Sequence, residues 1–328
     1  MTWVNNSRVD APVDHVKVEN GAAVGVVLKS GEVIDAPIVI SNADPKRSLV
    51  DLLEAGVLSP KVRSEAEHID RRGSMARIHL LVDTLPDYVG FPAGKVGPQH
   101  QGLVILGASP AKYEKAWAAQ QAGEFPDDYV LEALIPSVTD PTVAPAGLHT
   151  LSLGVQQLPF DLSQGTWETR KDEWADLVME MYFRYAPNMR GHILGRHVIT
   201  PLDLETTYNI TGGNIFHMSM VGVENIFAQR PIPDAAGYRT PVQNYYLSGS
   251  GSHPGGGVTG APGHNAAHRI LADMAGKIDV KLTRDDFTEK TPGMIDGLLQ
   301  TSIGQAIGYQ IARSATFRKL TEKLNRTR

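Results

Sequence analysis

The feature that most constrains this chain is one run near its end: Leu247-Ser-Gly-Ser-Gly-Ser-His-Pro-Gly-Gly-Gly-Val-Thr-Gly-Ala-Pro-Gly263. Seven of the sixteen residues from Ser248 to Gly263 are glycine. A loop so poor in side chains lets backbone N–H groups approach a ligand unobstructed. The short apolar strand Tyr245-Tyr246-Leu247 enters it, and Pro262, Ala266, Ala267, Ile270, Leu271 and Met274 signal a helix leaving it. The start of that helix adds unpaired N–H donors and a positive dipole end. Together these elements suit an anionic or electron-rich group, either a phosphate or the pyrimidine ring of a reduced flavin.

Gly255-Gly-Gly-Val-Thr-Gly260 also fits GxGxxG, but a glycine-rich run matches that pattern easily. No second buried strand ending in an acidic residue follows; Asp279 has about the right spacing but polar flanks, Lys277 and Lys281. The dinucleotide fingerprint is therefore rejected for this loop. Gly249-Ser250-Gly251 lacks the GxSxG spacing of a nucleophile elbow, which argues against a Ser/His/Asp hydrolase. Neither His217 nor His253 has a histidine four residues away, and no acidic cluster accompanies them, so no metal site is expected.

Upstream, Val13, Val16 and Val18 lead through Asn20-Gly21 to Val24, Val26 and Leu28, the pattern of a tight hairpin. Ile38-Val39-Ile40 reads as a strand buried on both faces, ending in the small polar run Ser41-Asn-Ala-Asp44. Asp44-Pro45 then starts a helix through Leu53, closed by Gly56, and Ser59-Pro60 starts another. Strands are predicted over 75–83, 102–107, 129–136 and 148–157, with a helix over 110–121. An amphipathic helix over 168–185 carries a core stripe of Trp174, Leu177, Val178, Met181, Tyr182 and Tyr185. The tail 291–328 reads as an amphipathic helix with Ile295, Leu299, Ile303, Ile307 and Ile311 at steps of four. From Arg313 on it has six basic residues and one acidic, Glu322. Two readings stay open: a helix packed on the body, or a peripheral membrane contact through 295–328.

At 328 residues the chain is long enough for two domains and a substantial core. Lys and Arg total 31 against 36 Asp and Glu, so no nucleic-acid partner held by a global basic surface is expected. The absence of cysteine excludes disulfides, thiolate metal ligands, Cys nucleophiles and a Cys-tethered flavin. With no apolar leader at residues 1–10 and no apolar run of spanning length, the chain is read as cytoplasmic or membrane-associated.

The glycine run resembles the C-terminal flavin loop of the phytoene-desaturase-like FAD-dependent oxidoreductases. The nearest subgroup is the pyridine nucleotide-disulphide oxidoreductase domain-containing proteins, relatives of carotenoid desaturases and, more distantly, of amine oxidases. Supporting runs follow in family order: Gly25-Val-Val-Leu-Lys-Ser-Gly31, Ile38-Val-Ile-Ser-Asn-Ala-Asp44, Ile135-Pro-Ser-Val-Thr-Asp-Pro-Thr142, Thr211-Gly-Gly-Asn-Ile-Phe-His217 and Arg230-Pro231.

The resemblance implies a fold of α/β and α+β class. A partial FAD-binding domain of glutathione-reductase type, from 1–60 and 240–290, joins a mixed-sheet substrate domain over 61–239 and the C-terminal helix 291–328. Only 12 residues precede Val13 and none forms a glycine fingerprint, so the N-terminal dinucleotide-binding motif is expected to be absent. The cofactor contacts implied are Val13 on the adenine side, Asn42 and Ala43 after the strand, and Gly249, Ser250, Gly251, Gly256, Gly257 and Val258 at the flavin. Asn214, His217 and His253 are implied near the substrate cavity. No catalytic side chain is singled out, because hydride transfer from an apolar substrate C–H to flavin N5 obliges none. The expected function is an FAD-dependent oxidoreductase, as a fragment or one chain of a split enzyme, with FAD held incompletely by this chain alone. A partner chain or homo-oligomer would cover the incomplete sheet. The alternative is a non-catalytic binding protein that retains the substrate domain.

Overall fold

The computed structural model describes residues 7–220 and 230–276. The chain divides into two compact units, 1–267 and 268–328, and residues 268–276 are the described part of the second. The expected tail helix 291–328 lies outside the described residues, as do the end of the 240–290 segment and the proposed membrane contact.

The hairpin forms as its turn chemistry demands. β1 (Val13–Glu19) pairs antiparallel with β2 (Ala22–Leu28) across Asn20 and Gly21, whose φ angles are 51° and 79°. β3 (Val33–Asp35) adds a third strand. β4 (Val39–Ser41) leaves this sheet and pairs in parallel with β10 (Tyr245–Leu247), more than two hundred residues later.

The strand at β4 is buried on one face only. Ile40 is 54% exposed between buried Val39 and Ser41, because the described pairing covers one edge and the core one face. Asp44 accepts Arg47 N–H at 3.1 Å, as expected of a cap, but the helix is shorter and wider than predicted. Arg47–Asp51 closes five-residue turns, with Leu52 N–H donating to Arg47 O at 2.8 Å. It stops there because Leu52 O is taken by Val16 N–H of β1, also at 2.8 Å.

The middle of the chain builds a five-stranded sheet in the order β6 (Val104–Leu106), β7 (Leu131–Leu134), β8 (His149–Leu158), β5 (Ser74–Val82), β9 (Ile193–Ile199). This corrects the expected mixed sheet: every described pairing in it is antiparallel. The parallel pairing belongs to β4 and β10 instead. β9 was not foreseen, since Ile-Leu-Gly-Arg-His-Val-Ile lacks clean alternation.

The helices are α1 (Pro60–Glu67), α2 (Pro110–Ala122), the single turn α3 (Pro136–Thr139), α4 (Trp167–Tyr185), α5 (Pro201–Tyr208) and α6 (Ala261–Met274). Four of them open on capped N-termini, the one at Ser59-Pro60 as expected. Ser59, Ser109 and Thr200 accept N–H groups three residues on, and proline follows each. Thr166 and Thr169 cap α4.

Two apolar cores result. One packs Trp174, Val178, Met181 and Tyr182 of α4 on Ile78, Leu80, Leu131, Leu151 and Leu153 of the sheet. The other joins Val16, Val39, Leu49, Leu53 and Val62 to Ile232, Val242, Tyr245 and Leu247. Trp174 is the largest wholly buried side chain among the described residues, set edge-on to Trp167 at 5.7 Å between ring centroids. Trp174→Ala should cost about 3–5 kcal/mol, read as a lower urea midpoint with unchanged slope.

Candidate functional site

Because β4 and β10 are parallel neighbours, their carboxyl ends open on the same side. Ser248 N–H extends the pairing to Ser41 O at 2.9 Å, and the two chains then diverge. The turn 42–44 leaves one strand and the glycine loop leaves the other. Ligands of α/β proteins sit in such crevices.

Small hydroxyls hold the turn. Ser41 Oγ and Ser48 Oγ are 2.7 Å apart, Ala43 N–H donates to Ser41 Oγ, and Ser48 Oγ donates to Ala43 O. Tyr245 OH donates to Ser48 O at 2.9 Å, and burial pushes its pKa up to about 12. Asp44 is buried and accepts from both the backbone N–H and Oγ1–H of Thr211, at 3.0 and 2.8 Å. That carboxylate ties the turn to the segment 211–220.

This segment is folded tightly on itself. A Cβ on Gly213 would lie 2.5 Å from Pro201 O, so only glycine fits there. Asn214 is buried and both ends of its amide are engaged: Nδ2 donates to Arg71 O and Arg72 O, and Oδ1 accepts Phe216 N–H. His217 follows with φ of 66°. A cleft of about 320 Å³ beside Arg71, Arg72 and Phe160 does not include the glycine loop.

The glycine loop needs its glycines for close approach. A Cβ on Gly249 would stand 2.8 Å from Asn42 O and 3.2 Å from His217 Cε1. One on Gly251 would overlap the Pro45 ring, and one on Gly256 the Phe216 ring. The structure thus brings Asn42, His217, Gly249, Gly251 and Gly256 together. Gly257 and Val258 continue the loop into solvent, Val258 fully exposed with φ of 56°. Among the described residues the N–H groups of Gly256, Gly257, Val258 and Thr259 have no partner, and α6 begins just beyond, where Ala261 N–H donates to Thr259 Oγ1. His253 lies inside the loop, its carbonyl accepting from Tyr238 OH at 2.9 Å. Val13 stands apart, paired with Leu28 at the start of β1.

Three side-chain atoms around the loop are buried without a hydrogen-bond partner: His217 Nδ1, Ser252 Oγ and His253 Nδ1. Buried polar atoms in folded proteins are otherwise paired almost without exception.

Sequence reading overlooked one residue in this region. Arg230 is wholly buried and donates Nε and Nη2 to Ser250 O at 3.2 and 3.0 Å. Its Nη1 donates to Ser219 O at 2.9 Å, and Nη2 also reaches Phe216 O at 2.5 Å. It therefore clamps the glycine loop to the 216–219 segment. The sequence offered only the dipeptide Arg230-Pro231, with nothing to say that the side chain turns inward.

No protein-family model matches the chain. Pyridine nucleotide-disulfide oxidoreductase domain-containing protein 2 of Rattus norvegicus is 37% identical over 260 residues, covering 77% of this chain and 45% of the relative. The neurosporene-forming phytoene desaturase of Cereibacter sphaeroides is 30% identical over 278 residues, covering 82% and 49%. Its homologues thus include pyridine nucleotide-disulfide oxidoreductase domain-containing protein 2 and phytoene desaturases. It spans about half the length of the curated relatives it matches. Among solved structures, an oxidoreductase from Methanosarcina mazei aligns over 80% of this chain and 48% of its own, at 16% identity and a TM-score of 0.48.

Burial is the leading cause that lowers both His217 and His253 below the ordinary imidazole value, and the charge of Arg230 adds to it. Asp44 opposes the fall at His217. An imidazole whose pKa is depressed on folding takes its proton first in the unfolded chain. Its stabilising contribution is complete above about pH 6.5 and is lost as pH falls toward the folded value. Stability should therefore fall as pH drops below about 6.5. In His217→Gln/His253→Gln the drop should be shallower, leaving the slope due to His79, which burial also lowers. Gly251→Ala should cost about 1–3 kcal/mol by forcing the loop off Pro45, measured by the same denaturation.

Proposed function

We propose that this chain forms the flavin end of an FAD site in an oxidoreductase that oxidises an apolar substrate. The observation that carries the reading is the row of unpartnered N–H groups from Gly256 to Thr259, set at a helix start beside the turn 42–44. FAD fits this donor set: main-chain N–H groups and a helix N-terminus suit the electron-rich edge of its pyrimidine ring, and the unpaired His217, Ser252 and His253 atoms supply further polar contacts. When bound, FAD would supply the hydride acceptor for an activated C–H bond. Gly256, Gly257 and Val258 would donate to the ring, Gly249, Ser250 and Gly251 would support it, Asn42 and Ala43 would line the turn side, and Val13 would serve the adenine side.

His217 and His253 are uncharged at neutral pH and would line an apolar cavity without bringing a cation into it. The relatives' names, three phytoene desaturases and a zeta-carotene desaturase among them, support an unsaturated or isoprenoid substrate class. Coverage of half the relatives' length supports a fragment or one chain of a split enzyme. The half-exposed Ile40 on β4 supports a partner chain or second copy over the two-stranded sheet. A purely binding role has no specific observation in its favour. Among the described residues no helix is long and apolar enough to cross a membrane.

The decisive experiment is purification with FAD present throughout, followed by gel filtration and a fluorescence titration with FAD. Visible flavin bands co-eluting with the protein, or saturable one-site binding that Gly251→Ala weakens about tenfold, roughly 1.4 kcal/mol, uphold the reading. A folded, colourless chain with no saturable FAD binding overturns it for this chain alone.

A further inference from the structure

A buried arginine is costly unless its charge is answered. Removing a guanidinium from water costs several kcal/mol even after relaxation, and proteins usually meet it with a carboxylate. Arg230 is different. It has no exposed surface, and every hydrogen-bond acceptor it meets among the described residues is a main-chain carbonyl, those of Phe216, Met218, Ser219 and Ser250. Burial lowers its pKa to about 10, so it is charged at neutral pH. Carbonyl dipoles solvate the guanidinium but do not cancel its net charge.

The position of that charge is specific. A Cβ on Gly255 would lie 3.7 Å from Arg230 Nε, and Ser250 O receives two of its donors, so the guanidinium lies directly beneath residues 250–255. The three unpartnered buried atoms belong to the same shell: His217 is next to Phe216, whose carbonyl Arg230 holds, and Ser252 and His253 are in the loop above it. Ser252 is 1% exposed, and its hydroxyl has no partner among the described residues. The carboxylates nearest to that shell among the described residues are Asp44, occupied by Thr211 and the Arg47 N–H, and Asp70, occupied by Arg72.

We infer that Arg230 is an electrostatic positioning residue, supplying from beneath the glycine loop a positive charge that no carboxylate among the described residues pairs, and that favours an anionic ring system in the site. The inference rests on the flavin reading of the loop. A clamp alone needs donors, and a neutral amide has donors. A fixed cation adds what a clamp does not require: a net positive charge beneath the loop, which backbone dipoles and neutral histidines do not carry.

Two substitutions separate charge from clamp. Arg230→Lys keeps the charge and loses the planar fork; Arg230→Gln keeps donors and loses the charge. The first measurement needs no flavin. In the native chain, NMR titration should find the imidazoles of His217 and His253 below the ordinary value. Arg230→Lys should keep them low, and Arg230→Gln should raise both, with His79 as an unmoved control. Hydrogen exchange over residues 245–256 reads the clamp separately, and should loosen in both variants.

The second measurement uses FAD-loaded protein. Arg230→Gln should weaken binding of the reduced cofactor relative to the oxidised one about tenfold, a fall in two-electron midpoint potential of about 30 mV, while Arg230→Lys stays near the native value. Equal behaviour of the two variants in both measurements overturns the inference and leaves a clamp. If Arg230→Gln does not fold, native-chain imidazoles at or above the ordinary value, or a potential in Arg230→Lys that falls by the same tenfold factor, overturn it equally. If FAD does not bind but the imidazoles respond as stated, the flavin reading fails and the charge beneath the loop stands.

Discussion

The parallel pairing of β4 with β10 is the constraint from which the site follows. Three residues on each strand, Val39 to Ser41 and Tyr245 to Leu247, fix two chain ends side by side and aim them the same way. Everything chemically suggestive is downstream of those ends: the turn that carries Asp44 on one side, the glycine loop on the other. Three residue pairs are a small contact, and their stability comes from below, where Val39, Tyr245 and Leu247 share a core with Leu49, Leu53 and Val62. The glycines above have almost no side chains to hold them. Their shape is imposed by what they touch, Asn42, Pro45, Phe216 and Met220, and by the Arg230 clamp.

Much of this was legible in the residues themselves. Turn and cap chemistry acts over three or four residues, so Asn20-Gly21 and Ser59-Pro60 could be read locally, and each sits where it was read. The stripe on α4 is likewise a property of one helix, and it meets the sheet as its spacing required. The strand–loop–helix around the glycines was legible because glycine density has few structural uses.

What was not legible depends on partners far away in the chain. Ile38-Val39-Ile40 is uniformly apolar, and nothing in it says that only one face finds a core. The wide turn at Arg47–Asp51 ends where it does because β1 claims Leu52 O, thirty-six residues from its partner Val16. Sheet direction in the middle of the chain is a matter of register between segments, and β9 has too mixed a pattern to reveal itself. Arg230 is the extreme case, a residue whose type suggests the surface and whose surroundings place it in the interior. His217 and His253 were read as residues near a cavity, but the reason their imidazoles stay neutral lies in burial and in that arginine.

The link between Asp44 and Thr211 has a kinetic consequence. It joins residues 167 apart in sequence, and the strand pairing beneath it spans about two hundred. Contacts of that separation bear the full entropy of closing the chain before they return any stabilisation, so they form late. The antiparallel sheet, with nearer neighbours and its own helix, can consolidate without them. The crevice would then be the last part of the molecule to assemble and the first to open. A partly unfolded form would keep its larger core intact while its ligand site has come apart.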